Sequence, residues 1–261
     1  MTMSNNSKNV IGKKVFFLYP HSIIHDELFN TIIENEYEAY ILKNYKKAAL
    51  LLSRYNNSIL YINIDTELKE AEWIEYVKVL KSASATKDVQ IGIMTFYENK
   101  ELEEKYLLEI GVSCGFIKLK LGLEDCKKII LKTLEASEAK GRRKFIRVFC
   151  ENKFIASFNI KVNNGIFTGS IIDISSVGMA CSFDDDKKIK IEEGTTLNDI
   201  QLRLKGILCK AMGKIAVVRK SEPLVYVIMF DIEKMKHERD KIHNFIRIML
   251  QEYIEKELLT L

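Results

Sequence analysis

The chain reads as two folds in series: an α/β domain built on a parallel sheet, then an all-β barrel that ends in one helix. Three observations predict this. Between residues 13 and 139, apolar strand-like runs alternate with helix-like stretches, the pattern of a parallel sheet covered by helices on both faces. After residue 140 the helical spacing stops, and β-runs follow one another between turn signals, as in a small antiparallel barrel. From residue 233 to 259 helical spacing returns, with Ile242, Phe245, Ile246, Met249, Leu250 and Tyr253 on one face.

Each element has its own signal. Residues 14–19 (KVFFLY) make the first strand, and 21–36 follow with helical spacing. Residues 40–42 are a short strand, and 45–55 (YKKAALLLSRY) a helix. A strand at 58–64 (SILYINI) precedes a charged amphipathic helix at 66–84. A strand at 89–96 (VQIGIMTF) precedes a helix at 99–109, and a strand at 114–119 precedes the last helix of this half, 123–140. The strands are apolar runs without strict alternation, which fits strands buried on both faces.

In the second half, residues 145–160, 165–174, 178–183, 197–219 and 224–232 are strand-rich. The breaks are Asn163-Asn164-Gly165, Asp184-Asp185-Asp186 and Glu193-Gly194, all turn chemistry. The polar stretch 137–143 (SEAKGRR) separates the halves. The expected organisation is an accessory α/β domain over residues 1–136 and a second domain over 137–261, with the linker at about 137–143.

Composition narrows the function. The 261 residues are 47% hydrophobic and 29% charged, as in a soluble globular protein. Forty basic and 36 acidic residues leave a net charge of only +4, too balanced to imply nucleic-acid binding without a local patch. Residues 1–9 are polar with no signal-peptide pattern. No apolar run approaches the roughly 20 residues of a membrane span, so no membrane association is expected. The five cysteines, Cys114, Cys126, Cys150, Cys181 and Cys209, include no CxxC pair. They read as reduced, mostly buried thiols of a cytoplasmic protein. His21 and His25 have i,i+4 spacing but no HExxH context or acidic partner, so a solvated helix start is expected and no metal. No cluster of carboxylates and histidines suits two-metal phosphodiester chemistry, and the chain is not read as an enzyme.

Two short patterns carry the function. Arg143-Lys144-Phe145-Ile146-Arg147 is an RxxxR, and Asp173-Ile174-Ser175-Ser176-Val177-Gly178 is a DxSxxG. Asp173 lies 26 residues after Arg147. That distance fits one long strand, a hairpin at residues 163–165 and a return strand, which brings both motifs to the same end. Guanidinium forks suit phosphate oxygens and the O6/N7 edge of guanine. A carboxylate accepts from guanine N1–H and N2–H.

In order and spacing these motifs resemble the PilZ domain, a bacterial receptor for cyclic di-GMP. The resemblance covers about residues 141–235. Residues 213–219 (GKIAVVR) and 226–230 (YVIMF) look like the family's closing strands, with Val227 at a packing position where many members carry glycine. The resemblance implies that Arg143 and Arg147 hold phosphates and stack on or fork to guanine. It implies that Asp173 and Ser175 read a guanine edge and that Gly178 permits close approach. Arg142 and Lys144 add positive charge near the mouth, or are simply a solvated linker. Cyclic di-GMP would be a ligand, not a cofactor, and no metal is implied.

In the first half, Asp65, Thr95 and Lys118 stand at three neighbouring strand ends and resemble the set found in response-regulator receiver domains. The acidic pair expected after the first strand is replaced by Tyr19-Pro20-His21, so Mg²⁺ lacks hard ligands. Asp65 is read as a plain helix N-cap, and only the receiver-like fold is taken. A divergent PilZ-like barrel is the rival, and it fits the alternating helices poorly. An accessory domain joined to PilZ in this way resembles the two-domain PlzA-type proteins.

The expected function is a cyclic di-GMP receptor whose linker is mobile when free, orders on binding and changes the interdomain geometry to signal to an unidentified protein partner. The alternative is a nucleic-acid-binding regulator that uses the basic face of the C-terminal domain; both readings hold together if the ligand gates that face. It would use Arg142, Arg143, Lys144 and Arg147 with Lys205, Lys210, Lys214, Arg219 and Lys220.

Overall fold

The computed structural model describes residues 12–141, 144–162, 165–185 and 191–261, without the side chains of 22–25. The chain divides into two compact units, Met1–Lys144 with Gln251–Leu261, and Phe145–Leu250.

The first unit is a parallel α/β fold. Its strands are β1 (Lys14–Leu18), β2 (Ala39–Leu42), β3 (Ser58–Asn63), β4 (Gln90–Thr95) and β5 (Phe116–Lys118). They lie in the order β2-β1-β3-β4-β5 with every pairing parallel, the doubly wound arrangement. This rules out a barrel at the N-terminus. β2 and β3 have no exposed residue, which is why they read as apolar runs. The helices are α1 (Ser22–Glu34), α2 (Tyr45–Arg54), α3 (Glu70–Ser82), α4 (Lys100–Glu104) and α5 (Leu123–Ala136). Asn44 starts α2 by accepting the Lys47 N–H at 3.0 Å. Trp73, Ile74, Val77 and Leu80 are the buried residues of α3.

Two helices differ from expectation. The helix expected from residue 66 begins only at Glu70, because residues 64–69 form a turn after β3. The helix expected over 99–109 is the short α4 followed by a π-helical turn, Lys105–Ile110. Residues 137–140, read from the sequence as the beginning of a polar linker, complete the C-terminus of α5. The Ala139 N–H donates to the Leu134 carbonyl, the Lys13 N–H donates to the Ala139 carbonyl at 2.8 Å, and Ala139 is buried.

The second unit contains β6 (Arg147–Phe149), β7 (Ala156–Val162), β8 (Gly165–Ser175), β9 (Gly178–Phe183), β10 (Thr196–Leu204), β11 (Ile207–Arg219) and β12 (Val225–Phe230). The order is β6-β8-β7-β10-β11-β12-β9, and a further β8–β9 pairing closes six strands into an antiparallel barrel. Along β10 burial alternates, as expected for a strand with one face in the core. Phe158, Phe183 and Tyr226 meet inside, with ring centroids 5.1 and 5.0 Å apart. Residues 197–219, read as one strand-rich run, are two strands turned at Lys205-Gly206. Both turn residues have positive φ, 51° and 85°, the geometry of a type I′ hairpin turn.

The last helix, α6 (Lys236–Leu259), begins in the barrel unit. Its residues from Gln251 onward group with the first unit. There the Gln251 amide brackets the backbone of edge-strand residue Ile41, accepting its N–H at 2.9 Å and donating to its carbonyl at 3.1 Å. Such a bracket occupies polar groups that an edge strand otherwise leaves open. Among the described residues, no helix is long and apolar enough to cross a membrane.

Candidate ligand-binding site

The two motifs meet across the β6–β8 ladder. Residues 145–160 are not one strand but β6 and β7, interrupted at 150–155. Residues 170 and 175 of β8 are each held by β9 on one side, and by β7 and β6 respectively on the other. β6 and β7 therefore share one edge of β8. The interrupted strand still returns the RxxxR end to the DxSxxG end.

The register pairs Arg147 with Ser175, Val148 with Ile174 and Phe149 with Asp173. Val148 and Ile174 are buried in the barrel. Alternation sends Arg147, Phe149, Asp173 and Ser175 to the opposite face. Arg147 Nε lies 3.4 Å from Asp173 Oδ1, with the arginine side chain 45% exposed and the aspartate side chain 12%. An irregularity in the β8–β9 register between Ile171 and Asp173 inserts one extra residue on β8. Such a bulge re-aims the side chains beyond it, and both Ile171 and Ile174 are buried on either side of it.

Asp173 also sets the character of its neighbours. Burial, then the Asp173 carboxylate, pushes the Cys150 thiol up to about 12. The same two causes raise Cys181 well above the ordinary thiol range. Both cysteines are free, Cys181 buried and Cys150 half-buried, and both stay protonated at neutral pH, as small apolar side chains rather than reactive thiolates.

Ser175 and Gly178 have internal partners. Ser175 Oγ donates to the Gly178 carbonyl at 3.1 Å and accepts the Val177 N–H at 3.4 Å, so it fastens the two-residue turn between β8 and β9. A Cβ on Gly178 would stand 2.5 Å from the Ile228 carbonyl oxygen and 3.3 Å from Met229 Cα. The close approach that glycine permits in this structure is that of strand β12.

Arg142 and Arg143 lie outside the described residues. Lys144 is exposed in a bend before β6. The sequence reasoning passed over Phe149, 68% exposed and opposite Asp173. The available signal was its position two residues after Arg147 on a strand. A separate open cleft of about 400 Å³ lies over β7, β8 and β10, lined in part by Lys153, Phe154, Asn159, Thr168 and Arg203, and holds none of the motif residues.

The receiver-like set is differently wired. Asp65 is not a helix N-cap: α3 starts five residues later with Lys69 as its cap. Instead Asp65 Oδ1 accepts from Thr95 Oγ1 at 2.5 Å and Oδ2 accepts the Phe96 N–H at 2.7 Å. Lys118 pairs with Glu103 at 2.7 Å. The structure thus joins Asp65 to Thr95 and directs Lys118 elsewhere. Asp65 and Thr95 line an open cavity of about 620 Å³ with Glu70, Tyr97, Glu98 and Lys120. His21 packs edge-on to Phe96, with centroids 4.7 Å apart. Among the described residues, no group of three or more His, Cys, Asp or Glu is placed to hold a metal.

Of the cations named for nucleic acid, Lys205, Lys210, Lys214, Arg219 and Lys220 are all exposed. They are spread over β11 and the turns at its two ends rather than gathered with Arg147.

No protein-family model matches this chain, and no curated relative matches it. Solved structures similar to parts of it include the PilZ domain with c-di-GMP of YcgR from Escherichia coli, at 12% identity over 46% of this chain and 99% of that one, with a TM-score of 0.37. The K. pneumonia MrkH–c-di-GMP complex is 17% identical over 44% of this chain and 54% of that one, with a TM-score of 0.35. A response regulator from Hahella chejuensis is 13% identical over 48% of this chain and 94% of that one, with a TM-score of 0.41.

Proposed function

We propose that this chain is a receptor that binds cyclic di-GMP at the β6–β8 ladder and does not consume it. The observation that supports this most is the pairing of Arg147 with Asp173 at 3.4 Å, which joins RxxxR to DxSxxG on one face of the β6–β8 ladder, with Arg147 and Phe149 exposed and Asp173 buried beside them. A guanidinium beside a carboxylate matches guanine twice. The arginine donates to O6 and N7 or to phosphate, and the carboxylate accepts from N1–H and N2–H. Arg143 precedes the patch in the chain and is assigned with Arg147 to the phosphates, and Arg142 to added positive charge near the mouth. Ser175 acts by holding the turn and Gly178 by admitting β12, so both support the patch from beneath. Signalling is assigned to a change in interdomain geometry read by a protein partner.

Isothermal calorimetry with cyclic di-GMP tests the reading, on the intact chain and on Arg147→Ala. Saturable binding that the variant weakens about ten- to a hundredfold supports it, the loss of charge-assisted bonds worth about 1.5–3 kcal/mol each. No saturable heat from the intact chain overturns it. Chromatography of the recovered ligand should return it unchanged, and a linear dinucleotide product would contradict a pure receptor.

A further inference from the structure

We infer that Phe149 is the stacking platform for a guanine base, a role that rests on the receptor reading above. Phe149 is 68% exposed, and no ring or cation partner touches it among the described residues. It is the residue directly opposite Asp173 in the β6–β8 register. Directly opposed side chains on one face have Cβ atoms about 4.5–5.5 Å apart, so the ring stands beside the carboxylate. Two residues before it on the same face of β6, Arg147 places its Nε 3.4 Å from Asp173 Oδ1. The patch therefore combines an aromatic face, a fixed carboxylate and a guanidinium. Those are the three things a guanine base uses: a surface for its π-face, an acceptor for N1–H and N2–H, and a donor for O6 and N7.

The arrangement also assigns a division of labour. Stacking on an aromatic ring is tolerant of base identity because every base has a π-face, whereas the carboxylate discriminates by hydrogen bonding. Phe149 supplies affinity and Asp173 supplies the choice of guanine. β6 holds the ring in place, since Val148 is buried beneath and locks the strand's facing. Phe145, 38% exposed and before β6, lies outside the ladder and is not assigned this role.

Three proteins test it by calorimetry with cyclic di-GMP: the intact chain, Phe149→Leu and Phe149→Trp. Leucine keeps apolar area and removes the ring. It should weaken binding roughly tenfold or more while leaving the thermal midpoint of the free protein unchanged. Tryptophan should keep affinity within about threefold of the intact chain. Its emission should change on saturation, because the only other tryptophan, Trp73, is fully buried in the first unit. Binding by the intact chain with unchanged affinity in Phe149→Leu, or unchanged emission from Phe149→Trp at saturation, overturns this inference and leaves the receptor reading standing. Absence of binding by the intact chain overturns both.

Discussion

The carbonyl oxygen of Ile228 stands 2.5 Å from where a Cβ on Gly178 would be built. These residues belong to β12 and β9, which pair with Gly178 against Met229 and Met179 against Ile228. The glycine is therefore a structural requirement of barrel closure. Gly178→Ala forces backbone apart rather than displacing a flexible side-chain tip. It should lower stability by about 1–3 kcal/mol, seen as a reduced urea midpoint without ligand. An unchanged midpoint would show that β12 yields freely.

Arg147 and Asp173 should respond differently to truncation. Arg147 is 45% exposed and Asp173 only 12% at the side chain. Arg147→Ala should leave the thermal midpoint nearly as it is, since a half-exposed ion pair contributes little, while weakening cyclic di-GMP binding. Asp173→Ala should lose binding and lower the midpoint as well, because it leaves a hole among buried neighbours. Equal midpoints for the two variants would contradict this placement.

Asp65 should behave as a structural residue. Both carboxylate oxygens are committed, to Thr95 Oγ1 and to the Phe96 N–H, and Lys118 is held by Glu103. Incubation with acetyl phosphate and Mg²⁺ should add no phosphoryl mass to the intact protein. Asp65→Ala should destabilise the first unit by about 1.5–3 kcal/mol for each charge-assisted bond lost, read by urea unfolding. A stoichiometric mass gain absent from the Asp65→Ala protein would refute this.

Stability should fall in alkali. Burial raises the Cys150 and Cys209 thiols to about 12, whereas an unfolded thiol titrates near about 8.5. The folded chain then holds protons that the unfolded chain has released. Each thiol's contribution is complete below about 8.5 and is lost as pH rises toward 12, at up to about 1.4 kcal/mol per pH unit. Urea midpoints at pH 7, 8, 9 and 10 should be flat at first and then decline. Cys150→Ala should shallow the decline, and a slope identical to that of the intact chain would remove Cys150 from the account.

Both folds were legible in the sequence because each rests on a local pattern. Buried parallel strands appear as apolar runs such as SILYIN, every residue of which is buried, and half-buried barrel strands appear as alternation, as along β10. The pairing of the two motifs was legible too, since a hairpin of that length returns to its start. What the sequence did not carry was everything decided by a partner distant along the chain. Asp65 reads as a helix cap until β4 places Thr95 against it, 30 residues on. Gly178 reads as a point of close approach, and only β12, some 50 residues later, shows which backbone comes close to it. Phe149 reads as one more strand apolar until the β6–β8 register sets it in the open, across from Asp173. By itself the sequence determined element type and fold class, because periodicity and turn chemistry act within a few residues. Only the tertiary structure decided what each of those residues touches, because register and barrel closure are set by packing between segments that the local pattern cannot see.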